Sequence, residues 1–199
     1  TGSRRPFAFQ GVKLRLGPGR LLPGKEVAPA PPPPPGPFAP LEARRDYLDH
    51  LRKSAQGLAL KRGVVYLDAM GGAGGGILGQ VLKRLEAPVE LRELHPLPHP
   101  LFYGVAPDPR PEHLRTLRLL LREAKPPALG LALDGDADRL GVYLPGGEAL
   151  PGDQALARLR EAAQGREVEA LGEGAYRFPW HLEEPDPFLA ALLLMGVLL

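Results

Sequence analysis

The sequence predicts an α/β fold: a mixed, mostly parallel sheet with helices on both faces. Three observations carry that expectation. Short apolar runs alternate with helix-spaced segments over about a hundred residues, the pattern of βα units around a parallel sheet. A glycine cluster, Gly71 to Gly76, follows one apolar run directly, as at a strand-to-helix turn. A loop with three carboxylates, Asp134, Asp136 and Asp138, follows another. In such sheets ligands gather beyond the carboxyl ends of the strands.

Taken in order, residues 1–22 open with a polar loop and reach Val12-Lys-Leu-Arg-Leu16, whose alternation reads as a strand. Pro23 to Pro40, with five consecutive prolines at 31–35, reads as a polyproline II spacer. Leu41 to Leu60 has helical spacing, with Tyr47, Leu48 and Leu51 on one face. Val64–Asp68 suits a buried strand, Ile77–Leu85 an amphipathic helix and Val89–Leu94 a second strand. Glu112–Glu123 is expected as a helix, with Pro111 at its first turn. Ala128–Leu133 and Gly141–Leu144 flank the acidic loop as strands, and a helix runs from about Asp153 to Ala163. Gly172–Pro187 is expected as a loop, followed by an apolar helix to Leu199.

Composition narrows function. With 25 basic and 23 acidic side chains the net charge is +2, and no basic stripe interleaves with aromatics, so nucleic acid is not an expected partner. The longest apolar run, Phe188–Leu199, is too short to span a bilayer, so no membrane role is expected. Cysteine is absent, which removes disulfides and thiolate chemistry; with no recognisable signal peptide, the expected compartment is the cytoplasm. Serine occurs only at positions 3 and 54 and threonine only at 1 and 116, so hydroxyl nucleophiles are few.

The acidic loop, Leu131-Ala-Leu-Asp-Gly-Asp-Ala-Asp-Arg-Leu-Gly-Val-Tyr143, carries the chemistry. Three close carboxylates repel unless a cation or several donors hold them, and hard divalent ions such as Mg²⁺ take oxygen ligands. An acidic turn between strands is the plain alternative. An EF-hand is excluded: a start at Asp134 puts Arg139 and Pro145 where glycine and an acid belong, and a start at Asp136 puts Leu140 and Gly147 at ligand positions. The glycine cluster fits neither the dinucleotide fingerprint, since Ile77 takes the third glycine position, nor a P-loop, which needs Gly-Lys-Ser/Thr. It reads as a flexible turn whose amides could face an anion. His95 and His99, between prolines, read as loop residues.

Asp134-Gly-Asp-Ala-Asp-Arg139 resembles the magnesium loop of the α-D-phosphohexomutases, the phosphoglucomutase/phosphomannomutase family. Other segments resemble that family in the same order. Thr1-Gly-Ser-Arg-Arg-Pro6 is similar to its T-[AG]-S-H-N-P serine loop, and Gln10-Gly-Val-Lys13 to N-G-x-K. Leu67–Gly75 is similar to V-D-P-M-H-G-A-G-G, Asp108–Leu114 to P-x-P-E-x-L, Gly152-Asp-Gln154 to the third-domain entry, and Gly172–Tyr176 to the sugar loop G-E-x-S-G.

The resemblance implies a repeated domain type with partial first and third domains. Residues 1–40 would be the end of domain 1 with the serine loop and linker, 41–148 a complete domain 2, and 149–199 remnants of domain 3. The family's first domain before the serine loop, most of its third and all of its fourth have no counterpart, so the chain is expected to be a fragment or an abbreviated relative. The resemblance also implies an intramolecular phosphotransferase that interconverts hexose 1- and 6-phosphates. Ser3 would carry the phosphate, Lys13 would move the proton, and Asp134, Asp136 and Asp138 would hold Mg²⁺. Arg139, Arg4 and Glu173 would contact substrate. The departures are Arg4-Arg5 in place of His-Asn and a sugar loop with no serine after Glu173. They leave open a non-catalytic relative that binds or regulates. A phosphatase with an aspartyl nucleophile lacks a convincing downstream Lys–acid pair.

Overall fold

The computed structural model describes residues 42–199, and the backbone of 14–16 and 20–22. Two short strands, β1 (Leu14–Leu16) and β2 (Arg20–Leu22), pair antiparallel. The main body is a four-stranded sheet. In chain order its strands are β3 (Gly63–Asp68), β4 (Val89–Leu94), β5 (Ala128–Leu133) and β6 (Leu140–Tyr143). They lie side by side as β4-β3-β5-β6, with β3 parallel to both β4 and β5, and β6 antiparallel to β5.

Strand alternation sends successive side chains to opposite faces, and the sheet is covered on both. Val65 and Leu67 of β3, with Leu129, Leu131 and Leu133 of β5, face helices α1 (Ala43–Ser54), α2 (Ile77–Arg84) and α5 (Pro187–Leu198). Tyr66 and Ala132 face the other way, onto Leu117 and Leu121 of α3 (Arg115–Glu123). β5, central and covered on both sides, is buried along its whole length. Gly130 lets α3 approach: a Cβ there would lie 2.3 Å from Leu121 Cδ1.

The helices follow their sequence signals with two shifts. α1 ends at Ser54 rather than Leu60, and Gly57 just beyond it takes a left-handed φ of +87° that no helix continues. Residues 111–113 form a 3₁₀ turn and Leu114 is non-helical (φ −115°, ψ 38°), so α3 starts at Arg115. α4 (Gly152–Ala162) lies as expected.

The segment expected as a loop is a correction. It contributes to a three-stranded antiparallel sheet of β7 (Glu169–Gly172), β8 (Ala175–Phe178) and β9 (Leu182–Pro185). Glu173-Gly174 is the tight connection, with Gly174 at φ +72°, and Arg177 Nε of β8 donates to Glu169 Oε2 of β7 at 3.1 Å. The strands are four residues each, too short for alternation to stand out beside their glycines.

α5 is apolar on all sides, and residues 187–195 are buried, as such a helix must be. Asp186 caps it, accepting from the amides of Phe188 (2.8 Å) and Leu189 (3.0 Å), with Pro187 in the first turn. Among the described residues no helix is long and apolar enough to cross a membrane.

Candidate metal centre

The acidic loop leaves the carboxyl end of β5 and returns as β6. Asp134 folds it: its Oδ1 accepts from the amides of Asp138 (3.0 Å) and Arg139 (3.2 Å) while its carbonyl accepts from Ala137 N–H (3.2 Å). This turn, stabilised by the side chain of its first residue, brings positions 134, 136 and 138 onto one side. Ala137 takes a left-handed φ of +56° within it.

The result is a concentrated negative charge. Asp134, Asp136 and Asp138 each present a ligand oxygen within 4.8 Å of the others. Asp134 is fully buried, and its Oδ2 is buried with no hydrogen-bond donor on it. Arg139 Nε stands 3.9 Å from that oxygen and 3.7 Å from Asp138 Oδ1, one guanidinium against three carboxyl groups. Burial, then the charges of Asp138 and Asp136, pushes the Asp134 carboxyl up to about 8. A carboxylate that costly to ionise calls for a cation, and a set of oxygen donors suits a hard divalent ion. The donor set therefore fits a metal ion.

The glycine cluster supports the loop from behind. The amide of Ala73 donates to Gly135 O at 3.0 Å, and a Cβ on Gly72 would lie 2.6 Å from the same oxygen. Gly75 is tighter still, its Cβ position 1.8 Å from Pro96 O. These glycines permit backbone to touch backbone, so the cluster is a packed support rather than a flexible turn. An amide of the cluster does meet an anion, but the protein's own: Gly76 N–H donates to Glu93 Oε1 at 2.7 Å.

Glu173 reaches the same region from the third sheet. The amide of Leu140, next to Arg139, donates to Gly174 O at 2.9 Å and so pins the β7–β8 turn to the end of the acidic loop. Glu173 is largely exposed, and its Oε2 lies 3.6 Å from Arg110 Nη2. Arg110 also pairs with Asp108 at 3.2 Å. Asp108, Arg110 and Glu173, with Tyr143 and Tyr176, line a cavity of about 290 Å³. Arg110 carries no site signal in the sequence: its place between two prolines marks a loop and gives no hint that the loop meets Glu173.

The structure thus brings together Asp134, Asp136, Asp138 and Arg139, and docks the turn bearing Glu173 beside them. Ser3, Arg4 and Lys13 lie outside the described residues. His95 bonds Asp68 (2.9 Å) and His99 Nδ1 accepts from the amides of Leu101 and Tyr103. Among the described residues, the grouping that could hold a metal is the acidic one.

Comparison with known proteins shows the family. Residues 45–147, more than half of the chain, match the family "Phosphoglucomutase/phosphomannomutase, alpha/beta/alpha domain II". The chain belongs to the phosphoglucomutase/phosphomannomutase family. It is 32% identical over 168 residues to the phosphoglucomutase of Neisseria meningitidis serogroup B (strain ATCC BAA-335 / MC58), covering 78% of this chain and 35% of that protein. The phosphoglucomutase of Neisseria gonorrhoeae matches to the same extent. A structure assigned as a phosphomannomutase, from Thermus thermophilus, superposes with a TM-score of 0.68 at 30% identity, over 81% of this chain and 48% of that one. A phosphoglucomutase/phosphomannomutase family protein of Burkholderia thailandensis shares the fold, with a TM-score of 0.61 at 20% identity over 78% and 43% of the two chains. The chain therefore spans about a third of the length of the curated relatives it matches.

Proposed function

We propose that this chain carries the metal-holding part of a hexose-phosphate mutase, an intramolecular phosphotransferase working in the cytoplasm. The observation that carries the reading is the Asp134–Asp136–Asp138 cluster, with its buried, donor-free Asp134 Oδ2, at the carboxyl end of β5. Asp134, Asp136 and Asp138 would hold Mg²⁺, which when bound offsets the negative charge of a phosphoryl group in transfer. Arg139 adds a fixed positive charge beside the cluster. Ser3 would carry the phosphate and Lys13 would take and return the proton of the sugar hydroxyl. Transfer from Ser3 gives a hexose bisphosphate, whose other phosphate returns to the serine. Glu173 would accept hydrogen bonds from the sugar hydroxyls, and Arg4 would contact phosphate. The domain division is proposed as residues 1–40, 41–148 and 149–199.

The test is intact-mass measurement of phosphate on Ser3 combined with mutase assays on glucose 1-phosphate and mannose 1-phosphate in Mg²⁺. Phosphate on the serine with turnover of either sugar supports the reading. A full-length, magnesium-loaded protein with neither refutes it. A second reading, a non-catalytic relative that binds sugar phosphates, is favoured by one contact: Arg110 already engages Glu173 in a turn that lacks the family's serine.

A further inference from the structure

A second constellation, made of α1, the β8–β9 turn and the β9–α5 corner, uses none of the residues assigned above to the metal centre or to substrate. Ser54 Oγ lies 2.7 Å from His181 Nδ1, and His181 Nε2 lies 2.8 Å from Asp186 Oδ2. Tyr47 Oη donates to both oxygens of the same carboxylate, at 3.0 and 2.9 Å. Ser54 is partly exposed, the His181 side chain is wholly buried, and Asp186 is buried behind it. The order from surface to interior is hydroxyl, imidazole, carboxylate.

The hydrogen bonds assign the protons. Asp186 accepts from Tyr47, from the amides of Phe188 and Leu189, and from His181, and an ionised carboxylate only accepts. Burial and the charge of Asp186 raise the Tyr47 hydroxyl well above its ordinary range, which keeps it a donor. His181 Nε2 therefore carries its proton toward Asp186. In the neutral ring Nδ1 is then bare, and the partner it can accept from is Ser54 O–H. The ring is held in that orientation by His50, stacked on it at 4.5 Å with its own Nε2 donating to His181 O at 3.1 Å.

We propose that Ser54 is an activated nucleophile that forms covalent adducts with activated phosphonyl and acyl esters. His181 is its general base, and Asp186 is the positioning residue that fixes the imidazole tautomer. With a fluorophosphonate, Ser54 Oγ forms the O–P bond as the P–F bond breaks. Fluoride leaves with the electron pair, and the serine proton passes to His181 Nδ1 and then to water. With an aryl ester the O–C bond forms, the aryloxide leaves, and it takes up that proton.

The experiment is labelling with a small fluorophosphonate, with the site mapped by peptide mass spectrometry in folded protein and in urea. A general base contributes about a hundred-fold or more to such a step, so Ser54 is expected to label about a hundred-fold faster folded than unfolded, despite being less accessible. His181→Gln keeps an amide donor for Asp186 but cannot take a proton, and is expected to abolish the excess with circular dichroism unchanged. Asp186→Asn keeps the carbonyl cap of α5 but presents an amide to His181 Nε2, forcing the proton to Nδ1, and should abolish it too. Ser54 labelling no faster in folded protein than in urea overturns the proposal. So does a folded His181→Gln or Asp186→Asn protein that labels like the parent.

Discussion

The backbones of Gly72 and Gly135 meet so closely that a Cβ on Gly72 would sit 2.6 Å from Gly135 O and 2.9 Å from Gly135 Cα. Both atoms belong to backbone, and no rotamer relieves the clash. Gly72→Ala is expected to push the acidic loop away from its support at a cost of about 1–3 kcal/mol, and to weaken divalent-ion binding beyond that loss of stability. Titration of Mg²⁺ by calorimetry, beside urea unfolding of the same protein, separates the two. Unchanged ion affinity in the variant would count against the loop's dependence on the glycine turn.

Asp134→Asn keeps an oxygen for the amides of Asp138 and Arg139 but removes a buried carboxyl whose ionisation is opposed by burial and by two neighbouring carboxylates. Without metal, the variant should be more stable than the parent by about 1–4 kcal/mol. Mg²⁺ is expected to raise the Tm of the parent and to leave that of the variant unchanged. Thermal melts with EDTA and with Mg²⁺ check both halves, and a variant that melts lower in EDTA would contradict the first.

The raised Asp134 carboxyl fixes the sign of a pH effect. Its ordinary value is 3.8 and its folded value about 8, so between these limits the folded state holds a proton that the unfolded state has released. Stability contributed by this group in metal-free protein therefore falls as pH rises from about 4 to about 8, then levels off. A metal ion held by this carboxylate would compete with the same proton, so Mg²⁺ affinity is expected to rise across the window. Urea midpoints against pH, compared between the parent and Asp134→Asn to cancel other groups, give the test. No difference in slope between the two would refute it.

Gly130 marks the approach of α3 to the sheet. A methyl there would meet Leu121 Cδ1 at 2.3 Å and Tyr143 Cβ at 3.0 Å, both in buried side chains. Gly130→Ala should cost about 1–3 kcal/mol through overpacking, with partial relief when combined with Leu121→Ala. Chemical denaturation of the two single variants and the double variant measures the coupling, and strictly additive costs would rule it out.

Much of the sheet was legible because its strands combine β-branched or leucine-rich runs with clear punctuation. Val64–Asp68 runs into the glycine cluster, and Ala128–Leu133 runs into the acidic loop. The acidic loop was legible as chemistry because three carboxylates at alternate positions have few purely structural uses. The strands at 169–185 were not, since four-residue runs interrupted by Gly172, Gly174 and Pro185 leave no measurable period. The role of the glycine cluster was hidden for another reason. What it touches, Gly135 and Pro96, lies far along the chain, and a close approach between backbones leaves no mark in a local pattern. The Ser54–His181–Asp186 alignment joins residues more than a hundred positions apart and was equally out of reach.

The hydrogen bond from Leu140 N–H to Gly174 O has a thermodynamic consequence. It ties the turn that bears Glu173 to the residue that ends the acidic loop, so a displacement of either is felt by the other. Two ligands that each favour one position of this joint are linked. If an occupant of the Glu173 cavity tightens ion binding by some factor, the ion must tighten that occupant by the same factor. Occupied together, the two proposed sites would be partners in a single reciprocal equilibrium joined by one backbone hydrogen bond.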